Sequence, residues 1–328
     1  MIDWRYRLAE HRGTLIALAL FLVMFAIYVA NHPAGFTANV VNTAANKGVL
    51  LALVAMAQTL VVLTAGIDLS VGSIFILTNC LASYIVAGSP MMVALGVLGV
   101  LATGIVCGAI NGLIVIYGRL QPIVATIATG AIYFGIALWL RPFPGGADDF
   151  SSDLADALTS QLPGGIPASL VTLVVIVLVI WVPFSRSPVG RAAYATGSSE
   201  VAAYMSGVPI KSAKFAAYTL AGLLAAIGGL FLTFFTYSGE ASAANGATYT
   251  LYSIAAVVLG GVSLFGGVGS AIGAIFGAFA FRTIGDLLFV FDLEPLWQPL
   301  FQGVVLLVAV SLGAARLFQI RNRLDLFG

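Results

Sequence analysis

Runs of about twenty residues without one charged side chain recur along this sequence, and they leave it few ways to fold. Thr14 to Ala30, Met91 to Tyr117 and Ala168 to Phe184 are three of them. A soluble globule must face water with polar side chains, and a chain that is 60% hydrophobic and 8% charged cannot cover itself. A bilayer suits the same composition, because about 20 apolar residues cross a roughly 30 Å hydrocarbon core as a helix that satisfies its own backbone groups. The sequence therefore reads as an all-α, polytopic bundle, one transmembrane unit over residues 1–328 with no room for a soluble domain.

Ten spans are expected: Thr14–Ala30, Ala45–Thr64, Ser70–Ala87, Met91–Tyr117, a fifth ending at Leu140, Ala168–Phe184, Phe215–Phe235, Thr248–Leu264, Val268–Val290 and Leu296–Gly313. Eight is the alternative, if a segment beside Asp68 is re-entrant and another pair is merged. The first run is long and lacks a small-residue cleavage site, so it is read as a retained helix and not a signal peptide. On the ten-span path Arg5, Arg7, Arg12, Arg119, Arg186, Arg191, Lys211, Lys214, Arg316, Arg321 and Arg323 all fall on one side, which the positive-inside rule makes the cytoplasm. Both termini are then cytoplasmic, with an N-terminal segment 1–13, an inner loop 185–214 and a tail 314–328. The acid-bearing stretch Arg141 to Pro167 falls outside. Gly104 and Gly108 form a small-xxx-small pair that lets helix backbones approach. Cys80 and Cys107, both inside apolar runs, read as small buried residues.

The polar interruption Ala65-Gly66-Ile67-Asp68-Leu69-Ser70-Val71-Gly72-Ser73-Ile74 stands out against this background. Asp68 is the only acid between Glu10 and Asp148, and a carboxylate within a membrane segment normally lines a polar pathway or caps a helix. Gly66 would let the chain leave one helix, while Asp68 and Ser70 would accept hydrogen bonds from the N–H groups that open the next. A second break, Gly260-Gly261-Val262-Ser263-Leu264-Phe265-Gly266-Gly267, echoes it in the other half of the chain. Paired breaks of this kind, here near 65–74 and 260–270, mark substrate pathways in many transporters, and they make Gly66, Gly72, Gly260, Gly261, Gly266 and Gly267 the helix-break glycines. Gln58 and Asn111 are two further polar candidates, either for the pathway or for hydrogen bonds between helices.

Absences narrow the function. His11 and His32 are the only histidines, no HExxH or GxSxG pattern lies at helix depth, and intramembrane catalysis and metal binding are not expected. Lys47, Asp68, Arg282 and Asp286 are too few for an obvious ion-coupling relay. No GxxxxGK[ST] loop is present, so the chain cannot hydrolyse ATP by itself. On the inner side, Ser198 to Gly207 reads as a short helix with a serine cap, Glu200 in its first turn and a glycine stop at Gly207. Ala202 and Ala203 give it a low ridge for a partner.

Ala65 to Ile74, Asn111-Gly112, Val189 to Gly197 and Ile254 to Gly261 running into Gly266-Gly267 together resemble the permease subunits of bacterial ABC importers for ribose, arabinose, xylose and related monosaccharides. The resemblance implies a transport subunit of the bacterial inner membrane that binds no cofactor, nucleic acid or metal. A cytoplasmic ABC ATPase would bind the ATP and dock on Ser198, Glu200, Ala202, Ala203 and Gly207. A periplasmic sugar-binding protein would deliver solute to the outer loops, and a second copy or a paralogue would complete a pathway shaped by Asp68, Ser70, Gln58 and Asn111. The chain departs from the family pattern at Ser198 and Ser199, where an asparagine is common, and at Thr250 and Tyr252, where an acidic pair is. An ion-coupled secondary transporter of a small polar solute, and a polytopic scaffold, are the alternatives.

Overall fold

The computed structural model describes residues 12–147, 150–308 and 311. Most of the expected segment 1–13, the tail 314–328 and the acids Asp148 and Asp149 lie outside the described residues. In chain order the helices are α1 (Arg12–Asn31), α2 (Ala38–Val62), α3 (Val71–Ile85), α4 (Pro90–Tyr117), α5 (Pro122–Leu140), α6 (Ser152–Thr159) and α7 (Ala168–Arg186). They continue as α8 (Pro188–Ser198), α9 (Glu200–Met205), α10 (Ile210–Thr236), α11 (Ala243–Leu259), α12 (Ala271–Val290) and α13 (Gln298–Val308). The strands β1 (Gln161–Leu162) and β2 (Ile166–Pro167) form a small antiparallel pair.

Among the described residues seven helices, α1, α2, α4, α5, α7, α10 and α12, are long and apolar enough to cross a membrane. Where the residues are described, a helix occupies most of each of the ten expected runs, but α3 (15 residues), α11 (17 residues) and the described part of α13 are shorter than these seven. Helix bounds also move. α2 begins at Ala38 and not Ala45, because Thr37 caps it: Thr37 Oγ1 accepts from the Val40 amide at 3.4 Å. α11 runs from Ala243 to Leu259 instead of Thr248 to Leu264, with Ser242 Oγ accepting from the Asn245 amide. Polar residues at a helix end, where backbone groups are free, extend the helix past its apolar run.

α2 is the axis of the bundle: 94% of its most apolar window is buried, and α3, α10, α11 and α12 pack around it. α1, at 11%, lies on the rim against α12. Lipid tails are as apolar as leucine, so helices in a bilayer associate through close packing instead of a hydrophobic drive. The α4–α10 contact shows this, as the small-xxx-small spacing predicts. A Cβ on Gly222 would sit 2.1 Å from the Gly104 carbonyl oxygen, and one on Gly108 would sit 2.3 Å from that of Tyr218. In α7, Val177–Trp181 winds as a π-turn just before Pro183, which has no N–H to give the helix ladder.

The two ends of the bundle differ. At one, Arg141 donates from Nε to Ser83 Oγ (3.0 Å) and lies 3.6 Å over the Tyr84 ring, while Gly145 and Gly239 form a β-bridge. The stretch expected to be an outer loop carries α6 and the β-pair at this end. Asn42 and Asn46 of α2 both donate to the Thr159 carbonyl that closes α6. The opposite end carries both helix breaks and the 185–214 segment.

Candidate functional site

The first break is built around Asp68, which is 1% exposed. The left-handed residue that turns the chain out of α2 is Ala65 (φ 60°), and not Gly66 as the sequence suggests. Gly66 instead gives room, since a Cβ there would lie 3.0 Å from Tyr218 Oη. Asp68 Oδ1 accepts from both the Ser70 amide (2.8 Å) and the Ser70 hydroxyl (2.6 Å), an Asx-turn that starts α3. Ser70 is the N-cap, yet its side chain accepts from no backbone N–H of α3; it donates to Asp68 and accepts from Asn111 Nδ2 at 2.7 Å. Its expected capping role therefore passes to Asp68 and to Thr250 of α11, whose hydroxyl accepts from the Gly72 amide at 3.1 Å.

The network extends outward from these residues. Tyr133 Oη of α5 lies 3.2 Å from Asn111 Oδ1 and 3.0 Å from the Cys107 carbonyl. The Leu69 amide donates to Thr126 Oγ1 at 2.9 Å. The Gln58 amide, turned so that its polar atoms are satisfied, donates to the Asp68 carbonyl (2.9 Å) and accepts from the Asp68 amide (3.2 Å). The structure thus gathers Asp68, Ser70, Gln58 and Asn111 into one interior cluster. All four are at most 1% exposed, and they satisfy the backbone of a non-helical stretch. α3 rises only about 22 Å, short of a full crossing, and this stretch supplies the rest.

The second break lies against the first. The Gly267 amide donates to the Leu63 carbonyl at 3.2 Å, and Tyr194 Oη of α8 donates to the Gly269 carbonyl at 2.7 Å. Gly197, near the end of α8, is wedged between them, for its Cβ would fall 2.0 Å from Leu63 O and 2.4 Å from Gly267 N. A Cβ on Gly266 would lie 2.8 Å from the Ala65 amide nitrogen and 2.9 Å from Gly197 Cα. Three turns from distant parts of the chain meet here backbone to backbone. The other break glycines also mark close approaches: Gly72 faces the Gly246 carbonyl, Gly260 faces Gly273, and Gly261 (φ 77°) faces Gly13.

Directly beyond this junction, α9 stands out from the bundle. The serine cap is Ser199, whose hydroxyl accepts from the Ala202 amide at 3.3 Å; Ser198 is the last residue of α8 and donates to the Tyr194 carbonyl. The C-terminal end is a Schellman turn: Gly207 (φ 71°) donates to the Tyr204 carbonyl and Val208 to that of Ala203, both at 3.0 Å. Lys214 donates to Glu200 at 2.7 Å and ties the helix to α10. Ala203 is buried against the bundle, while Val201, Tyr204 and Met205 are 75%, 75% and 81% exposed.

At the other end lies a group to which the sequence reading assigns no role. Lys47 of α2 and Asp286 of α12 pair at 3.2 Å, and Arg282 sits one turn before Asp286. They border a cavity of about 1010 Å3 and, adjoining it, a smaller one of about 180 Å3 lined by Tyr249 and Tyr252. Lys47 and Arg282, as isolated charges in apolar helices, were the available signal. Thr126 and Tyr133 gave none, because hydroxyl residues are common throughout the chain, and Thr250 stood out only as a departure from the family pattern.

Residues 39–310 match the family described as branched-chain amino acid transport system / permease component. The chain is 35% identical to the ribose import permease protein RbsC of Bacillus subtilis (strain 168) over 299 residues, 90% of either chain. It is 32% identical to the fructose import permease protein FrcC of Rhizobium meliloti, over 91% of this chain and 83% of the relative. It is also 32% identical to the autoinducer 2 import system permease protein LsrC of Enterobacter sp. (strain 638), over 89% and 84%. No solved structure matches. Matched over most of its length, this chain belongs to the branched-chain amino acid transport system / permease component family, and it is a transport subunit and not an enzyme.

Proposed function

We propose that the chain is the transmembrane subunit of an ATP-driven importer in a bacterial inner membrane, carrying a monosaccharide or a closely related polyhydroxylated solute. The family description names branched-chain amino acids, whereas relatives alike over nine-tenths of this chain are named for ribose and fructose, and that extended likeness favours a sugar. Two copies, or this chain and a paralogue, enclose the route. A periplasmic sugar-binding protein delivers solute at the Arg141 end, and a cytoplasmic ATPase supplies the energy. The path has ten crossings with both termini in the cytoplasm.

The observation that carries this reading is the shape of the 185–214 segment: a capped, protruding helix α9 with bare Val201, Tyr204 and Met205, seated on the junction of both helix breaks. An ATPase that grips those three side chains and pulls displaces Gly197, and Gly197 is in hard contact with the turns that aim α2, α3, α11 and α12. Alternating access then follows from a small rigid shift at a packed seam, since packed interiors transmit strain and do not absorb it. The test replaces Tyr204 and Met205 by Asp in the reconstituted complex with ATPase and binding protein. Loss of both ATPase co-purification and ATP-dependent uptake is expected; retention of both would overturn the proposal. The ion pair Lys47–Asp286 is the one feature that favours an ion-coupled carrier. Vesicles holding this chain alone and accumulating sugar against a gradient would establish that second reading.

A further inference from the structure

The geometry points to the adjoining cavities bordered by Lys47, Arg282 and Asp286 as the place where the solute rests on its way in, with its hydroxyl groups held by these charges and its C–H face against Tyr249 and Tyr252. This assignment rests on the import reading and gives that reading a solute site which the Asp68 cluster, whose four side chains are at most 1% exposed, does not offer.

Four observations support it. First, the position is right for entry: the larger cavity reaches Thr37 and Asn39 at the head of α2 and Asp292 to Glu294 after α12, at the end opposite the helix breaks. Second, the size suits a small solute, since sites for small molecules run on the order of 300–1,000 Å3. Third, Arg282 makes no hydrogen bond or ion pair with any described residue, and its Nε is buried. A guanidinium presents five N–H donors and no acceptor, and leaving buried donors unmet is costly, so this one is set to receive oxygen acceptors from outside the chain. Fourth, the lining mixes chemistry suited to a polyol. Lys47 and Arg282 donate and Gln298 does both in the two cavities, Asp286 accepts in the larger, and Tyr249 and Tyr252 offer flat apolar faces in the smaller. The tyrosines are held from behind, Tyr249 by Phe75 (ring centroids 4.5 Å apart) and Tyr252 by Phe281 (4.9 Å). A lipid tail would want none of these polar groups.

The test uses the full complex of permease, ATPase and binding protein in proteoliposomes, with radiolabelled ribose and fructose as probes. Arg282→Gln keeps the side chain polar and of similar length but removes its charge and most of its donors. Uptake is expected to fall at least about tenfold, the order expected for loss of a charge-assisted hydrogen bond. ATP hydrolysis and co-purification of the ATPase are expected to persist, and Arg282→Lys should recover part of the uptake. Tyr252→Leu should also slow uptake with assembly intact. If Arg282→Gln does not assemble, Gln298→Ala at the cavity mouth carries the same expectation. Wild-type uptake by an assembled Arg282→Gln, or by Gln298→Ala where that variant stands in for it, overturns the assignment. The two readings fail differently. Uptake by the wild-type chain without ATPase, or none of either sugar with it, removes the import reading; ATP-dependent wild-type uptake matched by Arg282→Gln removes the cavity alone.

Discussion

Adding one methyl group at Gly197 should disturb this protein far more than its size suggests. The Cβ of an alanine there would lie 2.0 Å from the Leu63 carbonyl oxygen and 2.4 Å from the Gly267 amide nitrogen. Relief to even a 3.0 Å contact needs a movement of about 1 Å, and both obstacles are main chain, so no rotamer change provides it. Overpacking of this kind costs about 1–3 kcal/mol. The Gly267 to Leu63 hydrogen bond, already 3.2 Å long, lies across the same gap and adds about 0.5–1.5 kcal/mol if lost. The sum, about 1.5–4.5 kcal/mol, either destabilises the fold or is relieved by lifting α8 and α9 off the breaks. Gly135→Ala in α5 is the control, because nothing lies within 4 Å of its Cβ and alanine is the better helix former. In the reconstituted complex, Gly197→Ala should lower the midpoint of thermal unfolding or reduce the sugar transported per ATP hydrolysed. Gly135→Ala should change neither. If the two variants behave alike in both assays, the junction is not the rigid seam described above.

Three further outcomes follow from the same geometry. Asp68→Ala strips Ser70 of both its bonds to the carboxylate and should cost about 1–3 kcal/mol, read as a lowered unfolding midpoint, while Asp68→Asn, which keeps one acceptor oxygen, should cost less; equal midpoints for wild type and Asp68→Ala would count against the capping role. Gly108→Val places a Cβ 2.3 Å from the Tyr218 carbonyl oxygen, with two methyl groups beyond it, and should abolish recovery of monodisperse protein in size-exclusion chromatography, whereas normal recovery would mean that α4 and α10 do not meet as described. Lys214→Met breaks a pair whose Glu200 partner is 58% exposed, so the unfolding midpoint should stay near wild type, within the roughly 0–1 kcal/mol of a surface ion pair; a large drop would show that the pair anchors α9.

The bundle was legible because apolar length is a strong signal: each run without charge became a helix, and the Gly104–Gly108 spacing named a real contact. Helix ends were less legible. Thr37 and Ser242 cap α2 and α11 well before the apolar runs begin, and the sequence alone does not tell a capping hydroxyl from an ordinary one. Asp68, Ser70, Gln58 and Asn111 stand out in the sequence as polar candidates for the pathway, but their mutual bonding is invisible there, since it depends on α4 and α5 coming alongside the break. The left-handed turn at Ala65 defeated the expectation at Gly66 because tertiary packing overrode local preference. Lys47 and Asp286, 239 residues apart, show the same limit in its plainest form.

The meeting of Leu63, Gly197 and Gly266-Gly267 is a joint specified by missing side chains. Side chains elsewhere can vary without touching its fit, so the lining that greets a solute can diverge while the moving parts keep their shape. Such a machine can change cargo without relearning how to move.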